Sequence, residues 1–517
     1  MVWGDRLPGL TRTKRPLGAV GCGHQVTADA AAEILRDGGN AYDAAIAALL
    51  TACVAEPVLA SLAGGGYALV HSEGVAPRIY DFFAQTPQRP ADPQRDDFHP
   101  VHADFGQVTQ EFHIGVGAAA VPGMVQGIFA MYDDLCTLPL HRLAEPALRA
   151  ARQGVAIRSF HAYLFQVVAP IFTLTAPVRS VFAANGHLPQ KGQQLVQADL
   201  GDTIEALVDE GHDLFYRGEI GRRLVALCDQ EGGTLTRNDL EDYRVGRATP
   251  LTVRYRNTVL HTNPPPSSGG ILIAFGLGLL EQVPILGEFG SPEHVELFAA
   301  VMALTQRSRL ANANVELNAL LNPELLDHYS AELKDRPSCL RGTTHISIID
   351  GSGNLAALTL SNGEGCGHLI PGTGIMLNNM LGEADINPDG FQRWPLGTRM
   401  TSMMAPSLLE FDDDRRVVMG SGGSNRIRTA LMQVISNIVD FDMRIDEAIA
   451  SPRLHLDEAT LSLEPGLRDL EDSCDLVIER WQELNLFFGG VHCVEQHGGS
   501  LRAVGDPRRD GVGLVVR

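Results

Sequence analysis

The run from Gly342 to Asn362, GTTHISIIDGSGNLAALTLSN, restricts the fold more than any other segment of the chain. Thr343 to Asp350 alternates, with Thr343, His345 and Ser347 on one side and Thr344, Ile346 and Ile348 on the other, which is the period of a half-polar strand. Gly351-Ser352-Gly353-Asn354 tolerates positive φ, and Leu355 to Ser361 is strand-like again, so the two runs are expected to pair as a hairpin. Counting back from the turn sets Ser361 and Asn362 opposite Thr343. Taken alone, such a hydroxyl cluster is most simply a cross-strand Thr/Ser pair, and a chemical role needs support from elsewhere.

That support starts at a second segment. Arg416 to Met419 reads as a short strand, followed by Gly420-Ser421-Gly422-Gly423-Ser424-Asn425 and the helical Arg426 to Val439. Glycines before a helix let backbone N–H groups converge on an anion. The Gly-Lys-Ser/Thr ending of a nucleotide-binding loop is missing, so an oxyanion hole fits better. A tight turn that needs glycine for close packing explains the segment equally well at this point.

The rest of the chain alternates helical and strand-like pieces. Thr27 to Asp37 is helical and closed by Gly38-Gly39, and Asn40 with Asp43 can cap a second helix that runs through Cys53 and stops at Pro57. Gly64 to Gly66 then feeds a strand at Tyr67 to His71. Gly18 to Gly23, GAVGCG, has no βαβ context and no acidic residue at the right spacing, so it is not read as a dinucleotide loop.

Composition removes several function classes. A net charge of −21, from 41 basic and 62 acidic residues, argues against nucleic acid and against an anionic membrane surface as partners. The apolar run from Ala44 to Val54 is far shorter than the roughly 20 residues of a membrane span. No signal-peptide pattern follows Met1 to Pro16, and the 8 cysteines form no CxxC pair, so a cytoplasmic location is expected. The histidines fall in no ligand spacing, so neither a metal nor a cofactor is expected.

The chain resembles the γ-glutamyltransferase family of N-terminal-nucleophile hydrolases over nearly its whole length. The resemblance rests on an ordered set of motifs: GGNAYDAA (38–45), EPVLASLAGGGY (56–67), AAAVPGMVQG (118–127), EDYRV (241–245), PPPSSGG (264–270), GTTHISIIDGSGN (342–354), PGTGIMLNN (371–379), GSGGSNRI (420–427) and SPRLHLD (451–457). It implies an α+β fold, the four-layer αββα sandwich, and a proenzyme that cuts itself between Gly342 and Thr343. Residues 1–342 would form the large chain and 343–517 the small one, self-associated as one αββα domain. Threonine suits such chemistry because its hydroxyl attacks an amide carbonyl while its own freed α-amine acts as general base.

By the same resemblance Ser361 orients Thr343, Gly422 and Gly423 present N–H groups to the oxyanion, and Thr401 with Ser402 binds a substrate carboxylate. Departures bear on the substrate. The family arginine for an α-carboxylate falls at Phe83, leaving Arg393 and Arg399 as substitutes. Around the α-amino pocket the family asparagine falls at Gly363, its Gln/Glu at Met380 and its aspartate at Glu383. The segment between Glu383 and Arg399 is also short, so an open cleft is expected.

The implied function is γ-glutamyltransferase-like or glutathione-hydrolase-like acyl transfer, from a small-molecule amide or γ-glutamyl donor to water or an amine, with glutathione a poor substrate. Two alternatives are a relative acting on another amide, oxamate amidohydrolase-like or acylase-like, and a non-catalytic small-molecule binding homologue.

Overall fold

The hairpin forms where the sequence places it. Thr344–Asp350 pairs antiparallel with Leu355–Ser361, Thr344 lying opposite Leu360 and Ile349 opposite Leu355, so continuing the register sets Thr343 opposite Ser361. The Asp350 carboxylate closes the turn by accepting from the N–H groups of Ser352 and Asn354 at 2.9 and 3.0 Å. It also accepts from the Ala41 N–H at 3.0 Å, which ties the turn to the start of a helix more than 300 residues earlier. The structure is a computed structural model, and it describes residues 15–517 apart from 93, 105–108, 286, 312–316, 331–342, 388–389, 458 and 469–475.

The hairpin sits inside a seven-stranded sheet. Its order is Val512–Val516, Gly18–Cys22, Thr344–Asp350, Leu355–Ser361, Gly65–His71, Arg78–Asp81 and Gly246–Ala248. A six-stranded sheet runs Ser500–Val504, Gly490–His497, Arg416–Gly422, Ser407–Phe411, Thr258–Thr262 and Leu251–Tyr255. Ala19, Leu69, Ile349 and Ala357 of the first share a core with Val417, Met419, Val491 and Val494 of the second, so the sheets pack face to face. On its other face the first sheet lays Val20, Ile346, Ile348 and Leu358 against helices Gln25–Arg36 and Ala41–Ala55. Helices Gly269–Gln282 and Asn425–Val439 cover the second sheet through Ile271, Phe275, Leu431 and Ile435. The result is a four-layer αββα sandwich.

Local signals hold with small shifts. Asn40 and Asp43 make a reciprocal capping box, and the helix they start ends at Ala55, just before Pro57. GAVGC is a buried central strand. The polar side of Thr344–Asp350 does not face water as a half-polar strand would; every residue of it is buried because that side meets the second sheet. Its polar atoms are satisfied internally. Ser347 donates to the His492 carbonyl at 3.3 Å, so it takes the His345 Nε2 proton at 2.9 Å and leaves Nδ1 to accept from Thr359 at 2.8 Å. Burial, with His492 nearby, holds His345 neutral. Among the described residues no helix is long and apolar enough to cross a membrane, and the six described cysteines are free; those at 339 and 474 lie outside the described residues.

Glu56 ends helix Ala41–Ala55 and joins two layers. Its carboxyl accepts from Thr344 at 2.8 Å and from Thr27 at 3.1 Å. Burial raises its pKa from 4.5 to about 7, against the lowering pull of those two hydroxyls and of Arg509 and Arg158. The native state therefore binds this proton more tightly than the unfolded chain does. The stabilisation it brings is full below about 4.5 and is lost as pH rises to about 7. Denaturant unfolding of the wild type and Glu56→Gln should show the wild type losing on the order of 2 kcal/mol relative to the variant between pH 5 and 8. A constant offset across that range would clear Glu56 as the source.

Candidate active site

Thr343, Ser361, Ser424, Glu383, Ser402 and Phe83 line one small cavity, with Ile386, Met403, Met404 and Ile427 completing its walls. Its free space is about 20 Å3, room for roughly one water molecule; residues 388 and 389 of the segment after Glu383, where an open cleft is expected, lie outside the described residues. Thr343 and Ser361 are both buried, and Gly342 lies outside the described residues. The Ser361 hydroxyl accepts from the Gly363 N–H at 3.0 Å and so keeps its own proton to donate.

The glycine segment reaches this cavity through Ser424, and Gly422 and Gly423 are not among its walls. The strand runs through Gly422, three residues further than its sequence suggests, and the helix starts at Asn425. A side chain at Gly422 would put its Cβ 1.7 Å from the Thr343 carbonyl oxygen, so only glycine permits this approach. Gly423 has φ 120° and Ser424 φ 48°, the left-handed region that a serine enters only when held there. Asp385 holds it, accepting from Ser424 Oγ at 2.7 Å and from Asn425 Nδ2 at 3.2 Å. The turn is thus a close-packing device placed at a helix start.

At the substrate end, Phe83 presents its ring to the cavity and stacks on Tyr67 at 5.6 Å. Arg399 does not substitute for the missing guanidinium. It is absent from the cavity walls and is fully engaged behind them, 3.4 Å from Asp81, bonded to Tyr243 Oη at 2.6 Å and to the Arg244 carbonyl at 2.5 Å, and bonded also to the Phe83 carbonyl. Arg393 is exposed and lines no part of the cavity. Of the Thr401-Ser402 pair only Ser402 reaches the cavity; Thr401 turns to Ser268 Oγ at 3.4 Å. Gly363 has φ 62°, and a Cβ there would lie 2.1 Å from Asn379 Oδ1 and 2.6 Å from Glu383 Oε1. The longer Glu383 side chain occupies the space that a residue larger than glycine would need. Met380 is buried in the core between the sheets.

Sequence reasoning missed Asp385, Glu56 and Arg509. Asp385 braces Ser424, Glu56 holds Thr344, and Arg509 donates from Nη1 to the Thr343 carbonyl at 2.8 Å. All three come from segments remote from the hairpin; Glu56 opens the EPVLASLAGGGY motif, and nothing in the local sequence of Asp385 or Arg509 marks them. Among the described residues, no group of three or more His, Cys, Asp or Glu side chains is placed to hold a metal ion.

The comparisons with known proteins bear on the family and the fold. Residues 27–516 match the gamma-glutamyltranspeptidase family model. The chain is 30% identical to a glutathione hydrolase proenzyme of Pseudomonas aeruginosa over 97% of its own length and 95% of the relative's. It is 28% identical to an acylase proenzyme of a Pseudomonas species over 89% and 87%. A cephalosporin acylase from Bacillus halodurans shares the fold, with a TM-score of 0.83 over 100% of this chain and 99% of that one at 22% identity. Matched by that family over residues 27–516 and built as the same αββα layers, the chain belongs to the γ-glutamyltranspeptidase family.

Proposed function

We propose that this protein is an amide hydrolase and acyl transferase that works through an acyl-enzyme on Thr343, exposed by self-cleavage after Gly342. One observation supports the reading: Thr343 and Ser361 from the hairpin and Ser424 from the glycine turn line a single cavity, and Gly422 lies against the Thr343 carbonyl. In processing, the Thr343 hydroxyl attacks the Gly342 carbonyl, the C–N bond breaks, and water hydrolyses the resulting ester to leave a carboxylate and a free α-amine. In turnover that amine takes the hydroxyl proton, Thr343 Oγ bonds to the donor carbonyl, and the amine leaving group departs with the proton. Water or another amine then attacks the ester. Gly422 and Gly423 offer N–H groups to the oxyanion, and Ser361 orients the hydroxyl.

The two chains, 1–342 and 343–517, remain one body. Strand Thr344–Asp350 is flanked by Gly18–Cys22 from before the cut and by Leu355–Ser361 from after it, so separation would expose both cores. Among the described residues, the cavity walls include a carboxylate, Glu383, and no Lys, Arg or His. Within the γ-glutamyltransferase-like reading we therefore expect a donor's α-carboxylate to be read weakly, so that glutathione is a poor substrate, with Glu383 and Ser402 as the polar walls on the donor's side.

Denaturing gels of the wild type should show pieces of about 37 and 19 kDa, from 55.7 kDa in all. Thr343→Ala should stay intact. Thr344→Ala should still process. A wild type that remains full length on long incubation, or a different new N-terminus, would defeat the assignment. Gly422→Ala should cut turnover by at least the 10² to 10³ expected for one lost oxyanion donor, because its methyl displaces Thr343 as well.

Four matched anilides, γ-glutamyl, 4-aminobutyryl, glutaryl and butyryl, separate the charge requirements. Deleting the carboxylate should cost nothing here, whereas a guanidinium reader would lose roughly 10- to 100-fold in kcat/KM, the equivalent of about 1.5–3 kcal/mol. Preference for γ-glutamyl over 4-aminobutyryl anilide by that factor would reverse the substrate assignment while leaving the nucleophile intact.

A further inference from the structure

The C-terminal turn Pro507–Arg509 is held by a buried ionic network. Asp506 accepts from the Arg508 N–H at 3.0 Å and pairs with Arg453 at 2.7 Å and with the Arg508 guanidinium at 3.3 Å. Burial alone would raise its carboxyl, and the two guanidinium groups hold it down at about 2. Arg508 also bonds Glu464 from Nε at 2.8 Å. A turn fixed in this way aims Arg509 inward, with only 4% of the residue exposed.

The route it takes is cleared by glycine. A Cβ at Gly490 would lie 2.2 Å from Arg509 Cδ, one at Gly422 would lie 2.7 Å from Nη1, and one at Gly423 would lie 3.1 Å from Nη2. At the end of this passage Nη1 donates to the Thr343 carbonyl at 2.8 Å. A buried guanidinium is costly, and here its placement serves the one residue on which the chemistry falls.

We propose that Arg509 is a positioning residue for Thr343: it fixes the carbonyl of the residue that becomes the chain's new start, and its fixed positive charge keeps the adjacent α-amine unprotonated at neutral pH. The inference rests on Thr343 being the N-terminal nucleophile. The hairpin ladder begins at Thr344, so after cleavage Thr343 stands as the residue just before it. The α-nitrogen of a residue lies within roughly 6 Å of a group bonded at 2.8 Å to its own carbonyl oxygen. A like charge at that range disfavours the ammonium form and moves an α-amine from about 8 toward the operating pH of a general base.

Other charges face the same spot. Glu56, from the end of helix Ala41–Ala55, reaches Thr344 rather than Thr343, and burial weakens its charge at neutral pH. Glu383 is on the cavity wall. Arg158, before helix Ser159–Val167, acts on Glu56 with the same sign as Arg509. Asp506 is taken up by Arg453 and Arg508, and His345 and His492 are held neutral by burial. Arg509 donates to Thr343 itself.

The test is the pH dependence of kcat/KM on an activated anilide for the wild type, Arg509→Gln and Arg509→Lys, after intact mass has established cleavage before Thr343. The acid-limb midpoint should rise by about one pH unit in Arg509→Gln and stay near the wild-type value in Arg509→Lys, which keeps the charge. A processed Arg509→Gln with the wild-type midpoint, or a Lys variant shifted as far as the Gln variant, overturns the proposal. Should Arg509→Gln fail to fold or cleave, Gly490→Ala displaces the same side chain from behind, and an unshifted midpoint in it overturns the proposal equally. Absence of cleavage in the wild type itself would instead sink the nucleophile assignment.

Discussion

Everything at the site depends on one strand being locked between strands from both sides of residue 342. Thr344–Asp350 pairs with Gly18–Cys22 on one edge and with Leu355–Ser361 on the other, and its two faces go to different cores. A one-residue slip would exchange those faces, moving Ile346 and Ile348 between the sheets and His345 and Ser347 against the helices. The buried chain from Thr359 through His345 and Ser347 to the His492 carbonyl forbids that, because each member would be left unsatisfied in an apolar layer. Register is therefore fixed by polar contacts on one face and by volume on the other, and the position of Thr343 follows from it.

A threonine held so rigidly is useful only if its surroundings approach closely. The second sheet supplies that approach at Gly422, whose missing side chain lets a backbone come against the Thr343 carbonyl. The strained turn after it, at Gly423 and Ser424, needs a brace, and Asp385 provides one from a segment that also contributes Glu383 and Ile386 to the cavity. The brace and the walls are therefore not independent. A shift of the segment after Asn379 would loosen the turn and alter the cavity together.

Much of this was legible in the chain itself, and the limits have physical causes. The hairpin register could be counted because a two-residue period and a short turn leave one solution. The capping box at Asn40 and Asp43 and the strand–glycine–helix unit are local, and their boundaries moved by only a few residues. What local pattern could not convey was the sheet-on-sheet contact that buries the polar face of Thr344–Asp350. For the same reason Thr401 was grouped with Ser402, although the backbone there turns only the second toward the cavity. Arg399 had the right charge in the right neighbourhood, but Asp81 and Tyr243 claim it. Arg509 was invisible because its partner lies 166 residues away, across the interface of the two sheets.

The two halves of the cavity tolerate change very differently. On the catalytic side, the Thr343 carbonyl, Gly422 and Arg509 lie at distances that no added methyl group can enter, so sterics alone forbid drift there. On the other side, Phe83 offers an apolar ring, while Gly363 and Glu383 fit one another, since a side chain at Gly363 would need the space that Glu383 fills, so those two positions change only together. A site built in this way can keep one acyl-transfer chemistry while its rim is rewritten for a different donor. Phe83, Gly363 and Glu383 are therefore where a different donor would be accommodated in this chain, whose relatives are named as glutathione hydrolases and as acylases.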